Sequence, residues 1–162
     1  MFTLTHNLKR LSVACVMALA CGLAWAAPVQ PGQPLPHLEL KNQHDQAWQV
    51  TPQTRLVIFA AGRKASNLVM EVLAPQPAGF LGSRHAVYLA DMSRMPGFVT
   101  RTFAMPALRE QKFEVGVSLD EKTLSDWPRE DDAVTLIRLE NGRVVSHEYV
   151  RTDAQLRAAL GL

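Results

Sequence analysis

The chain has 162 residues, with 17 Lys and Arg against 15 Asp and Glu, 48% hydrophobic residues and two cysteines. That suits one domain around one core, and a formal net charge of +2 supplies no basic field of the kind nucleic acid attracts. Both cysteines, Cys15 and Cys21, stand near the start, so a domain beginning after them has no disulfide and no thiol nucleophile.

The first 26 residues read "MFTLTHNLKRLSVACVMALACGLAWA". Lys9 and Arg10 form a positive start, Leu11 to Ala24 is almost entirely apolar, and Ala24-Trp25-Ala26 gives the small-x-small pattern of a signal-peptidase site. This is the pattern of a cleaved secretory signal rather than a fold element. An uncleaved anchor and a lipoprotein are the alternatives. Against the first, the apolar run is shorter than the roughly 20 residues of a spanning helix. Against the second, "ALAC" lacks a branched residue three before the cysteine. Cleavage before Ala27 leaves 136 of the 162 residues and removes two basic residues and no acidic one, so the net charge falls to zero. The expectation is a periplasmic protein of a Gram-negative bacterium, with no nucleic-acid partner and no stable membrane association after cleavage. It divides into a signal (1–26), an extended lead (27–36) and one domain (37–162).

The lead, "PVQPGQPLP", is rich in Pro and Gly. "HLELKNQHDQAWQV" alternates around a polar turn near His44-Asp45, which predicts a β-hairpin. "TRLVIFA" (54–60) is a continuous apolar run, suited to a strand buried on both faces. "SNLVMEVLA" sets Leu68 and Val72, and Val69 and Leu73, four apart on one helix face, with Pro75 ending the helix. "HAVYLADM" (85–92) predicts a second buried strand. In "SRMPGFVTRTFAMPALREQ", Pro96 suits a first helical turn and Pro106 splits or kinks the segment. "EVGVSLD" (114–120) fits a short strand and 121–132 a polar loop. "AVTLIRLENGRVVSHEYV" (133–150) is two β-rich runs about Asn141-Gly142, the favoured type I′ turn. In "TDAQLRAALGL", Thr152 and Gln155 have the spacing of a capping box.

A βαβ unit gives parallel strands by a right-handed crossover, and the terminal ββα adds an antiparallel edge. The predicted class is α/β: a mixed central sheet with helices on both faces, preceded by an N-terminal β-hairpin. "VTLIRLENGRVVSHEYVRTDAQLRAAL" resembles the closing hairpin and helix of thioredoxin-like proteins, and "LPHLELKNQHDQAW" resembles the leading hairpin of their peroxiredoxin and TlpA-like branch. By that register "FAAGRKASN" (59–67) occupies the redox turn, with the two active-site cysteines falling near Lys64 and Asn67. The position of the family's proline, before the penultimate strand, falls near Val134, and Trp127-Pro128 lies too early to supply it. "AGR", "MPGFVTR" and "LSDWP…AVTLIRLENGRV" are similar to the YtfJ-like family of secreted bacterial proteins over most of residues 33–160. That resemblance implies a thioredoxin-like domain without the CxxC pair, and it transfers no catalytic residue and no cofactor.

Thiol–disulfide exchange and peroxide reduction both need a thiolate, which the mature chain lacks. The turn can instead bind an anion. A helix N-terminus offers unpaired N–H groups and a partial positive charge, and Arg63 and Lys64 beside it are unfavourable by up to about 1 kcal/mol. A bound anion reverses that sign. Gly62 would let the backbone approach, and Ser66 or Asn67 could add a donor. Against this, both cations can simply face water. Met92 and Met95 are weak candidates for Cu(I), core filling being the plainer role, and no His pair has metal spacing. Ser66, His85 and Asp91 supply the residue types of a nucleophilic set, with Asp131 and Asp132 at another strand end. Trp127 either forms a partner surface or pins its loop by packing. The reading is a non-redox binding or accessory module whose contact face is Gly62, Arg63, Lys64, Ser66 and Asn67 with the loops at Trp127 and before Val134. The alternative is a small-anion or metabolite binder, or an enzyme, using the helix N-terminus at Gly62–Asn67.

Overall fold

The computed structural model describes residues 29–162. The expected signal, residues 1–26, and the first two residues of the lead lie outside the described residues. Three strands form the parallel centre of the sheet: β3 (Leu56–Ala61), β4 (Ala86–Asp91) and β5 (Val115–Ser118). β6 (Val134–Glu140) lies antiparallel to β3, and β7 (Arg143–Val150) antiparallel to β6. On the far side the hairpin β1 (Leu40–Asn42) and β2 (Ala47–Trp48) adds antiparallel to β5. The seven strands run in the order β2-β1-β5-β4-β3-β6-β7.

Local chemistry explains most of these elements. β3 reads "LVIFAA" and is buried on both sides: Leu56, Ile58 and Ala60 enter one core, and Val57 and Phe59 the other. The β6–β7 turn holds Asn141 at φ 49° and Gly142 at φ 76°, the left-handed pair that a type I′ turn requires. α5 (Asp153–Leu160) starts with both halves of the capping box. Gln155 N–H donates to the Thr152 hydroxyl, and the Gln155 side chain accepts from the Thr152 N–H.

After β3 come α1 (Arg63–Leu73) and the short α2 (Phe80–Ser83). After β4 the chain passes without a break through α3 (Gly97–Val99), a π-helical segment (Thr100–Ala104) and α4 (Met105–Arg109). The wide turn ends at Ala104, two residues before Pro106. In a regular α-helix that ring would strike the carbonyl of residue 102, and its missing N–H would leave that carbonyl without a donor. The wider turn accommodates both effects.

One expectation is corrected. The sequence pattern predicts helices on both faces of the sheet, yet Ala65, Val69, Leu108, Leu156 and Leu160 all enter the same core, and the second core contains no helical residue. The reason lies in the strand order. β3, β4 and β5 step across the sheet in one direction, so two right-handed crossovers both place their helices on one side. The other side is closed by Val29 of the lead, by Leu38 just after it, by Trp48 of the hairpin, and by Leu124 and Trp127 of the 119–133 loop.

Candidate functional site

β3 ends at Ala61, and Gly62 turns the chain into α1. Gly62 has φ 96° and ψ 168°, a region that is essentially glycine's alone. A Cβ there would meet no atom within 4 Å, so the turn opens into space. The first turn of α1 has no side-chain cap and no acidic residue. Its leading N–H groups therefore have no intrahelical acceptor, and the partial positive charge of the helix end is uncompensated.

The residues of this turn diverge. Arg63 and Asn67, one helical turn apart, line a groove of about 760 Å³ with Gly62, Asp91 and Arg94. Its apolar wall is Met95, Pro96, Val99, Phe103 and Ala104, contributed by the β4–α3 loop and the α3–π segment. Lys64 instead reaches away, its Nζ 2.9 Å from Asp132 Oδ2, with both side chains mostly exposed. Ser66 is half-buried, and its side chain acts on the hydroxyl of Tyr88 in the core rather than on the groove. Burial pushes the Tyr88 phenol up to about 12, and the Ser66 hydrogen bond opposes this only in part. The sequence groups four polar residues at the helix end, and the geometry brings two of them, Arg63 and Asn67, to the groove.

Trp127 and Val134 do not reach a surface. Trp127 is 4% exposed and packs edge-on against Phe59, ring centroids 5.3 Å apart. Val134 is fully buried, paired with Ala60 of β3 and Val150 of β7. A contact role for either side chain is corrected to a packing role. Met92 lies in the core while Met95 lines the groove, so the two thioethers do not share one cavity. His85 precedes β4 and Asp91 ends it, at opposite ends of the strand, and Ser66 is engaged with Tyr88, so these three do not meet.

Asp91 is the groove's buried acid. Its Oδ1 accepts from Ser93 N–H at 3.0 Å and its Oδ2 from Arg129 Nη1 at 2.8 Å. Arg129 also donates through Nη2 to the Leu124 carbonyl and lies over the Phe59 ring. The 119–133 loop is thus clamped to the strand end, and Asp91 carries no uncompensated charge into the groove. A second hollow of about 400 Å³ shares Gly62, Asp91 and Arg94 and is walled by Glu130, Asp131 and Asp132. The Asp91–Arg129 pair and the π-helical wall have no counterpart in the sequence reading. Asp91 at the end of a buried strand was a usable signal, since strand ends in open α/β sheets border ligand crevices. Its partner, 38 positions away, carried none.

No family model matches the sequence, and no curated protein matches it. Solved structures do. A candidate protein disulfide isomerase of Bacteroides thetaiotaomicron matches with a TM-score of 0.55 at 8% identity, covering 82% of this chain and 87% of that one. A candidate thiol:disulfide interchange protein, DsbE, of Chlorobium tepidum matches with a TM-score of 0.51 at 15% identity, over 82% and 99%. An uncharacterized thioredoxin-like protein of Porphyromonas gingivalis matches with a TM-score of 0.50 at 15% identity, over 78% and 89%. At these identities the likeness is one of fold. The mixed sheet with its leading hairpin, its parallel centre and its closing ββα is a thioredoxin-like fold.

Proposed function

We propose that this is a secreted, periplasmic, YtfJ-like protein that works as a thiol-independent binding or accessory module. Its contact face is the groove between the α1 N-terminus and the α3–π segment. The observation that carries this reading is the joint lining of one groove of about 760 Å³ by Arg63, Asn67, Met95 and Phe103. Polar groups that fix orientation stand there beside apolar groups that give area, the usual composition of a binding cleft. Residues 29–162 contain no cysteine, so the redox chemistry of the fold has no nucleophile in them. Such a module needs no cofactor, no nucleic-acid partner and no membrane association. The face is narrower than the sequence suggested on one side, because Lys64, Ser66, Trp127 and Val134 are engaged or buried. It is wider on the other, through Arg94 to Ala104. The small-anion alternative keeps only Arg63, Asn67 and the helix end.

The test is a photo-crosslinking amino acid placed at Asn67 in Gram-negative cells, with one at Gln53, beside the start of β3, as control. Discrete adducts at Asn67 and none at Gln53 are expected. No adduct at Asn67, or the same products from both positions, argues against the face.

A further inference from the structure

The groove's charge narrows what it accepts. Asp91 is the one acid in its lining, and both of its oxygens are occupied, by Ser93 N–H and by Arg129. Arg63 has no ion pair among the described residues. Arg94 has one, to Glu121 at 3.8 Å with both side chains 74% exposed, and such a pair contributes little. The uncapped end of α1 adds partial positive charge. The rim is therefore cationic over an apolar wall. Phe103 in that wall is 64% exposed. Aromatic residues set next to arginine are what the centres of protein interfaces are enriched in. A π-turn, a feature frequent at functional sites, presents Phe103.

An exposed aromatic side chain next to arginine suits a polypeptide better than a compact solute. The second hollow adjoins the groove at Gly62, Asp91 and Arg94, so the site has an apolar, cationic half and an acidic half.

We propose that the apolar half binds a polypeptide segment that presents leucine- or phenylalanine-sized side chains next to carboxylates. The apolar groups lie against Met95, Val99 and Phe103, and the carboxylates face Arg63, Arg94 and the α1 N-terminus. The inference rests on reading the groove as the contact face, and names the chemistry of its occupant.

Fluorescence anisotropy tests it with the intact protein and a labelled, acetylated peptide alternating glutamate with leucine and phenylalanine. Saturable binding is expected, weakening as salt shortens the screening length below its physiological value of about 8 Å. Phe103→Ala and Arg63→Glu are each expected to weaken it by about tenfold or more, the loss typical of an interface anchor. Val145→Ala, an exposed change on β7, leaves it unchanged. The counterpart with lysine for glutamate does not bind. Phe103-dependent binding of the lysine peptide overturns the acidic assignment but keeps the groove as a contact face. Displacement of an apolar dye by oleate, with no response to either peptide, assigns the groove to a lipid acid and overturns the polypeptide. Binding of neither peptide, together with no crosslink at Asn67, removes both the occupant and the face.

Discussion

Gly62 sits at φ 96° and ψ 168°, and a Cβ added to it would have no atom within 4 Å, so replacing it tests backbone strain without steric collision. Gly62→Ala is expected to cost about 1–3 kcal/mol in urea unfolding, and an unchanged midpoint would mean that the turn relaxes. Lys64→Ala removes an exposed pair and is expected to cost under about 1 kcal/mol in the same assay. These two cations are neighbours in the sequence. What separates them is the helix, which sends Arg63 into the groove and Lys64 to an aspartate 68 positions away. Tyr88 supplies a pH test at the same scale. Its folded-state pKa is raised from 10.0 to about 12 by burial, with Ser66 opposing. The unfolded chain therefore loses this proton first. The stabilisation is complete below about pH 10 and is lost as pH rises from about 10 to about 12, a fall of roughly 2–3 kcal/mol at about 1.36 kcal/mol per pKa unit. Tyr88→Phe should remove that slope when ΔG of unfolding is followed against pH. Equal slopes in the two proteins would show that Tyr88 titrates normally.

The β1–β2 hairpin is held to the sheet through a glycine. Gly116 of β5 pairs with Asn42, and a Cβ on it would meet the Trp48 ring at 2.5 Å. Trp48 is 6% exposed, so its ring has little room to retreat. Gly116→Ala is expected to cost about 1–3 kcal/mol as overpacking. Hydrogen exchange should show the added opening first at Lys41 and Val117, a register pair between β1 and β5, whereas the Asn42 N–H is held within the hairpin by the Gln46 carbonyl. Uniform loss of protection would mean that the hairpin is not a separable unit. Elements whose causes are local were legible in the sequence: the left-handed Asn141-Gly142 turn, the Thr152–Gln155 box, and the doubly buried β3 run. The π segment was not. Pro106 signalled a break, but whether a proline splits, kinks or widens a helix depends on what the freed carbonyl and the ring pack against, which is tertiary information.

Across the whole molecule the two faces of the sheet are built differently. The periodicity of α1 and α5 identified amphipathic helices, and the βαβ order identified the parallel centre. The side each helix occupies follows from the order of strands across the sheet, which hydrophobic pattern does not encode. That same order brings the α3–π segment alongside α1, so the groove's second wall was invisible in the sequence while its first, Gly62 to Asn67, was readable. The face without helices depends on the 119–133 loop. It is anchored twice, by Trp127 on Phe59 and by Arg129 on Asp91. Trp127→Ala is expected to cost about 3–5 kcal/mol through lost burial and the cavity left behind. Asp91→Asn leaves Arg129, whose side chain is only 23% exposed, without its counter-charge, and is expected to cost about 3 kcal/mol. If the loop docks as one unit, the first change already releases the second anchor. The double variant should then fall short of the summed single costs by about 1 kcal/mol or more, whereas independent sites add to within about 0.5 kcal/mol. Urea unfolding of the four proteins measures the difference. Additive losses would mean that the two anchors hold separate parts of the loop, and that the wall shared by both hollows does not depend on the packing of Trp127.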